Sequence, residues 1–140
     1  MTDKTRLLTQ DEQINALDQV AEYVTAAKCN LVIRTPRGDQ VFLSAIHEPS
    51  GTTGKLQVVN AFGTDFDVWR LSKSKTWGAG HTTPVCMGVS AEVAAQHVID
   101  EYRVLKARFV TKNLRARGIK ASQVSYKDVL AQVAAEGQQQ

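Results

Sequence analysis

Residues 90–118 read SAEVAAQHVIDEYRVLKARFVTKNLRARG, and this stretch decides how the rest of the chain is arranged. Ser90 is a favoured residue type just before a helix, and Gly118 is a favoured type just after one. Between them, apolar residues recur every three or four positions, which places them on one face of an α-helix. These residues, which we call the seam, are Ala94, Val98, Tyr102, Leu105 and Phe109. The pattern predicts one long helix whose seam packs on the rest of the protein.

Three further apolar residues of this stretch, Val104, Val110 and Leu114, lie on other faces of the predicted helix. A helix that rests on a single surface needs apolar residues on one face only. We therefore expect the helix either to lie between two elements of the same chain or to meet another subunit on its far side.

The chain begins with another helical pattern. Thr9 and Glu12 have the spacing of a capping box, in which each side chain binds the backbone N–H of the other residue. Apolar residues then follow at helical spacing, namely Ile14, Leu17, Ala21 and Val24. Asn30 is a residue type that tolerates the left-handed conformation, so we expect the helix to end there.

Between the two helices the apolar spacing changes to that of β-strands. We predict strands at residues 31–35, 40–47, 55–62 and 66–72, and a short fifth strand at residues 85–87. The connections between the first four strands are shorter than the crossover of about a dozen residues that parallel pairing needs. The strands are therefore expected to form an antiparallel meander.

The predicted fold is a single α+β domain of 140 residues. It has an N-terminal helix, an antiparallel meander of four to five strands, the long helix packed on the sheet, and a short terminal helix. Ser125 and Asp128 suggest a capping box for that last helix, which we expect to run to Ala135 and to end at Gly137. Residues 1–8 and 137–140 are expected to be frayed.

Part of the sheet surface also looks apolar on the side away from the helices. Phe42, Ile46 and Val58 are the residues that we assign to that side. An exposed apolar face of this kind is typical of a protein–protein contact. A homodimer formed through the sheet or through the long helix is therefore a reasonable expectation.

The net charge of +3 conceals a strong asymmetry along the chain. Residues 1–101 carry −3, residues 102–127 carry +8 without a single acidic residue, and residues 128–140 carry −2. A phosphate backbone would neutralise such a basic segment and release its counterions. Basic residues that flank a docked helix, with their charged ends in water, are the competing interpretation.

Our first hypothesis is therefore a non-catalytic accessory or regulatory protein that binds nucleic acid, DNA or RNA. The basic residues would contact phosphates, and Trp77, beside two lysines, would stack on a base. The predicted nucleic-acid-binding residues are Lys73, Lys75, Trp77, Arg103, Lys106, Arg108, Lys112, Arg115, Arg117 and Lys120. Our second hypothesis is an interaction module, an inhibitor or adaptor, whose basic helix docks on an acidic protein partner.

Our third hypothesis is a small enzyme or ligand-binding domain with His81 in a loop that forms the site, together with Thr83 and Trp77. We assign no catalytic residue, because no nucleophile, base and orienting group occur at an identifiable spacing. The other histidines, His47 and His97, have no metal-ligand partner at helical spacing, so no metal or cofactor is predicted.

The remaining features favour a cytoplasmic protein that does not enter membranes. No apolar run reaches the length of about 20 residues that a membrane-spanning helix needs. The N-terminus lacks the basic and apolar regions of a secretory signal. Cys29 and Cys86 lack metal-type spacing and are expected to be free thiols.

Overall fold

The computed structural model describes residues 8–27, 31–37, 40–60, 65–73 and 80–138. In these residues the chain has the predicted α+β fold. The helices are α1 (Gln10–Ala26), α2 (Ala91–Ala116) and α3 (Tyr126–Gln138), and a short 3-10 turn covers Glu48–Ser50. The strands are β1 (Leu31–Arg37), β2 (Gln40–His47), β3 (Thr52–Thr53), β4 (Leu56–Val59), β5 (Phe66–Lys73) and β6 (Gly80–Val89).

The described strands form one antiparallel sheet in the spatial order β1-β2-β4-β5-β6. The two-residue strand β3 pairs with the end of β2, on the side where β4 also pairs with it. Each of the five longer strands therefore lies beside its neighbour in the chain, which confirms the meander. Short connections bring consecutive strands together most directly, and antiparallel pairing follows from their length.

The helices start where side chains cap the free N–H groups. Thr9 Oγ1 accepts a hydrogen bond from Glu12 N at 3.2 Å, and Glu12 Oε1 accepts one from Thr9 N at 3.0 Å. Ser125 and Asp128 make the same reciprocal pair at 3.2 and 3.1 Å. Both predicted capping boxes are therefore confirmed, and Ser90 caps α2 by accepting from Val93 N.

The main core lies between one face of the sheet and the two longer helices. Leu17 of α1 and Val98 of α2 are fully buried with Leu43, Val58 and Val68, which come from three adjacent strands. Val58 pairs with Leu43 and therefore lies on the helix side of the sheet. Its predicted place on the opposite side is wrong, because the register of β4 turns Val58 toward the helices.

The opposite side of the sheet, which we call the second sheet face, carries the residues that alternate with the core positions. Phe42, Ile46 and Trp69 lie there and are half-buried. α1 and α2 both pack on the other side.

The short helix α3 packs against the far side of α2, opposite the sheet. Ala107 of α2 is buried with Val129 and Val133 of α3, and Val110 and Leu114 pack against them. Two of the three apolar residues that lie off the seam, Val110 and Leu114, are therefore covered by an element of the same chain.

Several predicted boundaries are wrong. α1 ends at Ala26, before the predicted stop at Asn30, which lies outside the described residues. β1 continues through Pro36 to Arg37, beyond the predicted end of the strand at residue 35, and β6 begins at Gly80, so His81 lies in a strand and not in a loop. β1 and β6 are the edge strands of the described sheet, where a proline costs no interior hydrogen bond.

The C-terminal helix is also longer than predicted. α3 continues through Gly137 to Gln138, although both were expected to be frayed. Leu8 is 9% exposed, although residues 1–8 were expected to be frayed as well. None of the helices in the described residues has the length and apolar character needed to cross a membrane.

Candidate anion-binding cleft

A cleft with a volume of about 410 Å³ lies between the second half of α2 and the segment that follows β2. The residues that line it, which together we call the cleft, are Pro49, Ser50, Thr52, Leu105, Arg108, Phe109, Lys112 and Asn113.

Helical spacing explains which side chains of α2 line the cleft. Arg108 and Lys112 are four residues apart and therefore lie one above the other on the same side of the helix. Leu105 and Phe109 are the last two residues of the seam, and both line the cleft. The surface that α2 presents to the core in its first half thus becomes a cleft wall with cations at its rim.

The cleft cations have no acidic counterpart in the described part of the chain. Arg108 and Lys112 are both exposed, and neither forms an ion pair with a described residue. Two like charges one turn apart repel each other. An anion bound between them would remove this repulsion, which makes the cleft a candidate site for a phosphate or a carboxylate.

Three other predicted nucleic-acid-binding residues interact within the protein. Lys106 Nζ lies 3.4 Å from Glu136 Oε2 of α3, and Arg103 Nη1 lies 3.9 Å from Asp100 Oδ1. Arg115 Nη1 donates to the carbonyl oxygen of Ile119 at 3.1 Å, beyond the end of the helix. Part of the predicted basic surface therefore holds α2 and α3 in place.

The rest of the predicted set is spread over other positions. Arg117 and Lys120 are exposed at the C-terminal end of α2 and just beyond it. Lys73 is described only as the last residue of β5, and Lys75 and Trp77 lie outside the described residues. The structure thus brings two of the ten predicted residues, Arg108 and Lys112, into the cleft.

His47, at the end of β2, lies beneath the cleft. Its side chain is 3% exposed, and its ring centroid is 5.1 Å from that of Phe109 and 5.8 Å from that of Tyr102. Burial, together with the positive charge of Lys106, lowers the pKa of His47 below the usual histidine value of 6.5. The imidazole packs against the ring of Phe109 and supports it from below.

Ser50 forms hydrogen bonds at the end of β2 and fixes the turn beside the cleft. Ser50 Oγ lies 2.8 Å from His47 Nδ1 and 3.2 Å from the carbonyl oxygen of His47. These contacts fix the 3-10 turn that forms one wall of the cleft.

A second ionic site joins α2 to the sheet. Glu101 Oε2 lies 3.2 Å from Arg70 Nη2 of β5, and Glu101 Oε1 accepts from Lys55 N at 3.4 Å. Gly54 passes so close that a Cβ there would lie 2.8 Å from Glu101 Cγ. This site has its charges paired and its space filled, so it holds the helix in place and leaves no room for a ligand.

The described residues offer no metal site. In them, no three His, Cys, Asp or Glu side chains gather where an ion could be held. Cys86 is a half-buried free thiol whose pKa is raised by burial and by Asp67, and Cys29 lies outside the described residues. His97 is half-buried on α2, whereas the side chain of His81 lies outside the described residues.

The sequence did not reveal the part of the cleft that comes from the loop after β2. Ser50, Thr52 and Asn113 are common polar residue types, and no spacing connects the first two with α2. Comparison of the chain with protein-family models, with curated proteins and with solved structures gave no match. The function is therefore inferred from the cleft itself.

Proposed function

We propose that this protein is a non-catalytic accessory or regulatory protein of the cytoplasm that binds the phosphate backbone of a nucleic acid in the cleft. The observation that carries the proposal is the pair of exposed cations, Arg108 and Lys112, one turn apart and without an acidic partner among the described residues. Thr52 and Asn113 supply neutral hydrogen-bond donors next to them.

This combination suits the chemistry of a phosphodiester. The guanidinium group of Arg108 can bind two phosphate oxygens at once, and the ammonium group of Lys112 adds a point charge. Hydroxyl and amide side chains commonly supply the remaining phosphate contacts in protein–nucleic acid complexes.

The test compares two double variants that remove the same charge from the same helix. Arg108→Gln with Lys112→Gln removes the cleft cations, and Arg103→Gln with Lys106→Gln removes cations that interact within the protein. Binding of a fluorescent oligonucleotide is measured by anisotropy over a range of salt concentrations. The cleft variant should lower the slope of log K against log salt by about 1.4 to 1.8, the value for two lost phosphate contacts.

The control variant should leave that slope nearly unchanged, and thermal melting checks that both variants are folded. An equal reduction in both variants would mean that the protein attracts polyanions through its overall charge and not through the cleft. Absence of binding at low salt, to DNA and to RNA alike, would refute the proposed function.

An acidic protein partner is the second candidate. The apolar residues Pro49, Leu105 and Phe109, which line the cleft with two cations, would suit an acidic segment with an apolar side chain. A pulldown from nuclease-treated lysate distinguishes the two candidates. Capture of a protein by the wild type but not by the Arg108→Gln, Lys112→Gln variant would favour the partner protein. Loss of all captured material after nuclease treatment would favour nucleic acid.

We also propose a homodimer that forms through the second sheet face. Phe42, Ile46 and Trp69 are large apolar residues that α1 and α2 leave uncovered. Light scattering at micromolar concentration provides the measurement. A mass near 15.4 kDa, that of a single chain, would refute the dimer.

A further inference from the structure

The apolar residues of the cleft have no role in binding a phosphate. Pro49 lies on the loop side of the cleft, and Leu105 and Phe109 lie on α2 with the cations Arg108 and Lys112. Phosphate alone is fully hydrophilic, so a site for it gains nothing from an aromatic ring and two aliphatic side chains. A ligand that matches the whole lining has an anionic group and a flat or apolar group within a few bond lengths of each other.

A nucleotide has this arrangement of groups, and the size of the cleft fits one such unit. Sites for small ligands commonly have volumes of about 300 to 1,000 Å³, and the cleft lies near the lower end of that range. A base inside a duplex is stacked and paired, so a duplex would present only its backbone to the cleft. An unstacked base of a single strand can enter and lie against an aromatic side chain.

Phe109 is held in place for such a contact. Its ring is half-buried and packs on the imidazole of His47, with the two ring planes inclined by 54°. His47 is itself fixed by Ser50 and Tyr102. A ring that is already ordered loses little conformational entropy when a ligand binds. Arg108 lies one residue before Phe109 on the same helix, so the cationic and aromatic contacts are adjacent.

We infer that the cleft holds one unstacked nucleotide of a single strand, with its base against Phe109 and its phosphate between Arg108 and Lys112. This inference rests on the proposed function and specifies its ligand as single-stranded nucleic acid. Stacking on Phe109 and contacts to the phosphate give little preference among the four bases, because every base has a flat face.

The first experiment uses a fluorescent DNA strand about 12 nucleotides long, within the site sizes of known single-strand binders, alone and annealed to its complement. The wild type should bind the single strand at least tenfold more tightly than the duplex at the same salt concentration. Phe109→Leu keeps an apolar side chain but removes the aromatic ring. It should weaken single-strand binding by at least about fivefold, the smallest usual effect of losing one stacked base.

Two comparisons separate the loss of stacking in Phe109→Leu from a general disturbance of the fold. Phe109→Leu should leave both the salt slope and the binding of the duplex unchanged, because the phosphate contacts remain. Phe109→Tyr should restore single-strand binding, because it restores the aromatic ring. Thermal melting of both variants checks that they remain folded, and a strand that carries 5-bromouracil should photocrosslink to the peptide that contains Phe109.

The outcomes distinguish this inference from the proposed function. Equal affinity for single strand and duplex, an unchanged affinity in Phe109→Leu, or crosslinks only outside the cleft would each overturn the inference. In those cases, a salt slope that still depends on Arg108 and Lys112 would leave the proposed function in place. If neither form of DNA and no RNA binds at low salt, both proposals fail together.

Discussion

The two halves of α2 have different surroundings although the seam runs through both. In the first half, Ala94, Val98 and Tyr102 are buried between the sheet and α1. In the second half, α3 covers the opposite side, and Leu105 and Phe109 of the seam line the cleft. The difference teaches that a helical pattern shows which residues share a face, whereas the neighbouring elements decide whether that face becomes core or binding surface.

The charged residues of the two halves differ in the same way. Glu101, in the first half, is buried and pairs with Arg70 of the sheet. Arg108 and Lys112, in the second half, are exposed and have no described ion-pair partner. A buried charge must be paired because its desolvation is costly, whereas an exposed one keeps its water until a ligand replaces it. The first half therefore serves stability, and the second half has groups available for binding.

The largest expected effect tests whether the two halves differ in packing. Leu43→Ala removes a fully buried side chain beneath the first half, and we expect it to lower the free energy of unfolding by about 2 to 5 kcal/mol. Leu114→Ala removes a half-buried leucine that contacts α3, and the expected loss is about 1 to 2 kcal/mol. Urea denaturation of the two variants measures both losses. Equal losses would show that the two apolar clusters contribute alike.

A smaller effect is expected where α2 approaches the sheet most closely. In Gly54→Ala the new methyl group would lie 2.8 Å from Glu101 Cγ, and we expect a loss of about 1 to 3 kcal/mol. The double variant Gly54→Ala, Glu101→Ala makes space for the methyl group. Its loss in urea denaturation should therefore be smaller than the sum of the two single losses. Simple additivity would mean that the carboxylate side chain does not press on this position.

A variant at the N-cap of α3 tests how stably this helix packs against the second half of α2. Ser125→Ala removes the side chain that accepts from Asp128 N, and we expect the protein to lose about 1 kcal/mol of stability. Ser90→Ala at the start of α2 is the matched control, because it removes the same kind of bond from the first half. Hydrogen exchange should show faster opening of α3 in Ser125→Ala only. Uniform acceleration along the chain would indicate that α3 opens only with the whole fold.

The smallest expected effect is a dependence of stability on pH at the boundary between the halves. Because burial lowers the pKa of His47 below 6.5, the unfolded chain binds this proton more readily than the folded one. The stability that neutral His47 contributes to the folded protein is therefore fully present above about pH 6.5, and it is lost as the pH falls below that value. His47→Phe keeps the ring contacts but cannot titrate. Its midpoint of urea denaturation should therefore fall less than that of the wild type between about pH 7 and about pH 5.5, which lie on either side of the usual histidine pKa. An equal fall of the midpoint in both proteins would contradict the lowered pKa of His47.

Local patterns predicted most of the elements correctly, and the errors have physical reasons. The two capping boxes, the long helix and the meander were predicted because caps, seam spacing and short connections act over a few residues. Pro36 and Gly80 were misassigned because turn residue types are also tolerated at the edge of a sheet. Val58 was placed on the wrong side because the register of a strand depends on its partner strand.

The candidate site was predicted only in part. The basic segment led to Arg108 and Lys112, but it led equally to Lys106 and Arg115, which bind Glu136 and Ile119. Charge along a chain shows how many cations a segment has, and not which of them meet an internal partner. The opposite wall of the cleft comes from a loop far earlier in the chain, and no local pattern connects it with α2.

The sequence by itself determined the existence of α2, the face on which its seam lies and the concentration of positive charge in its second half. These properties follow from residue spacing and composition within one segment. Only the tertiary structure decided that α3 covers the far side of α2, and that Phe109 lines a cleft beside two exposed cations. Burial and ion pairing depend on contacts between segments that are far apart in the chain, and the helix pattern contains no information about which segments these are.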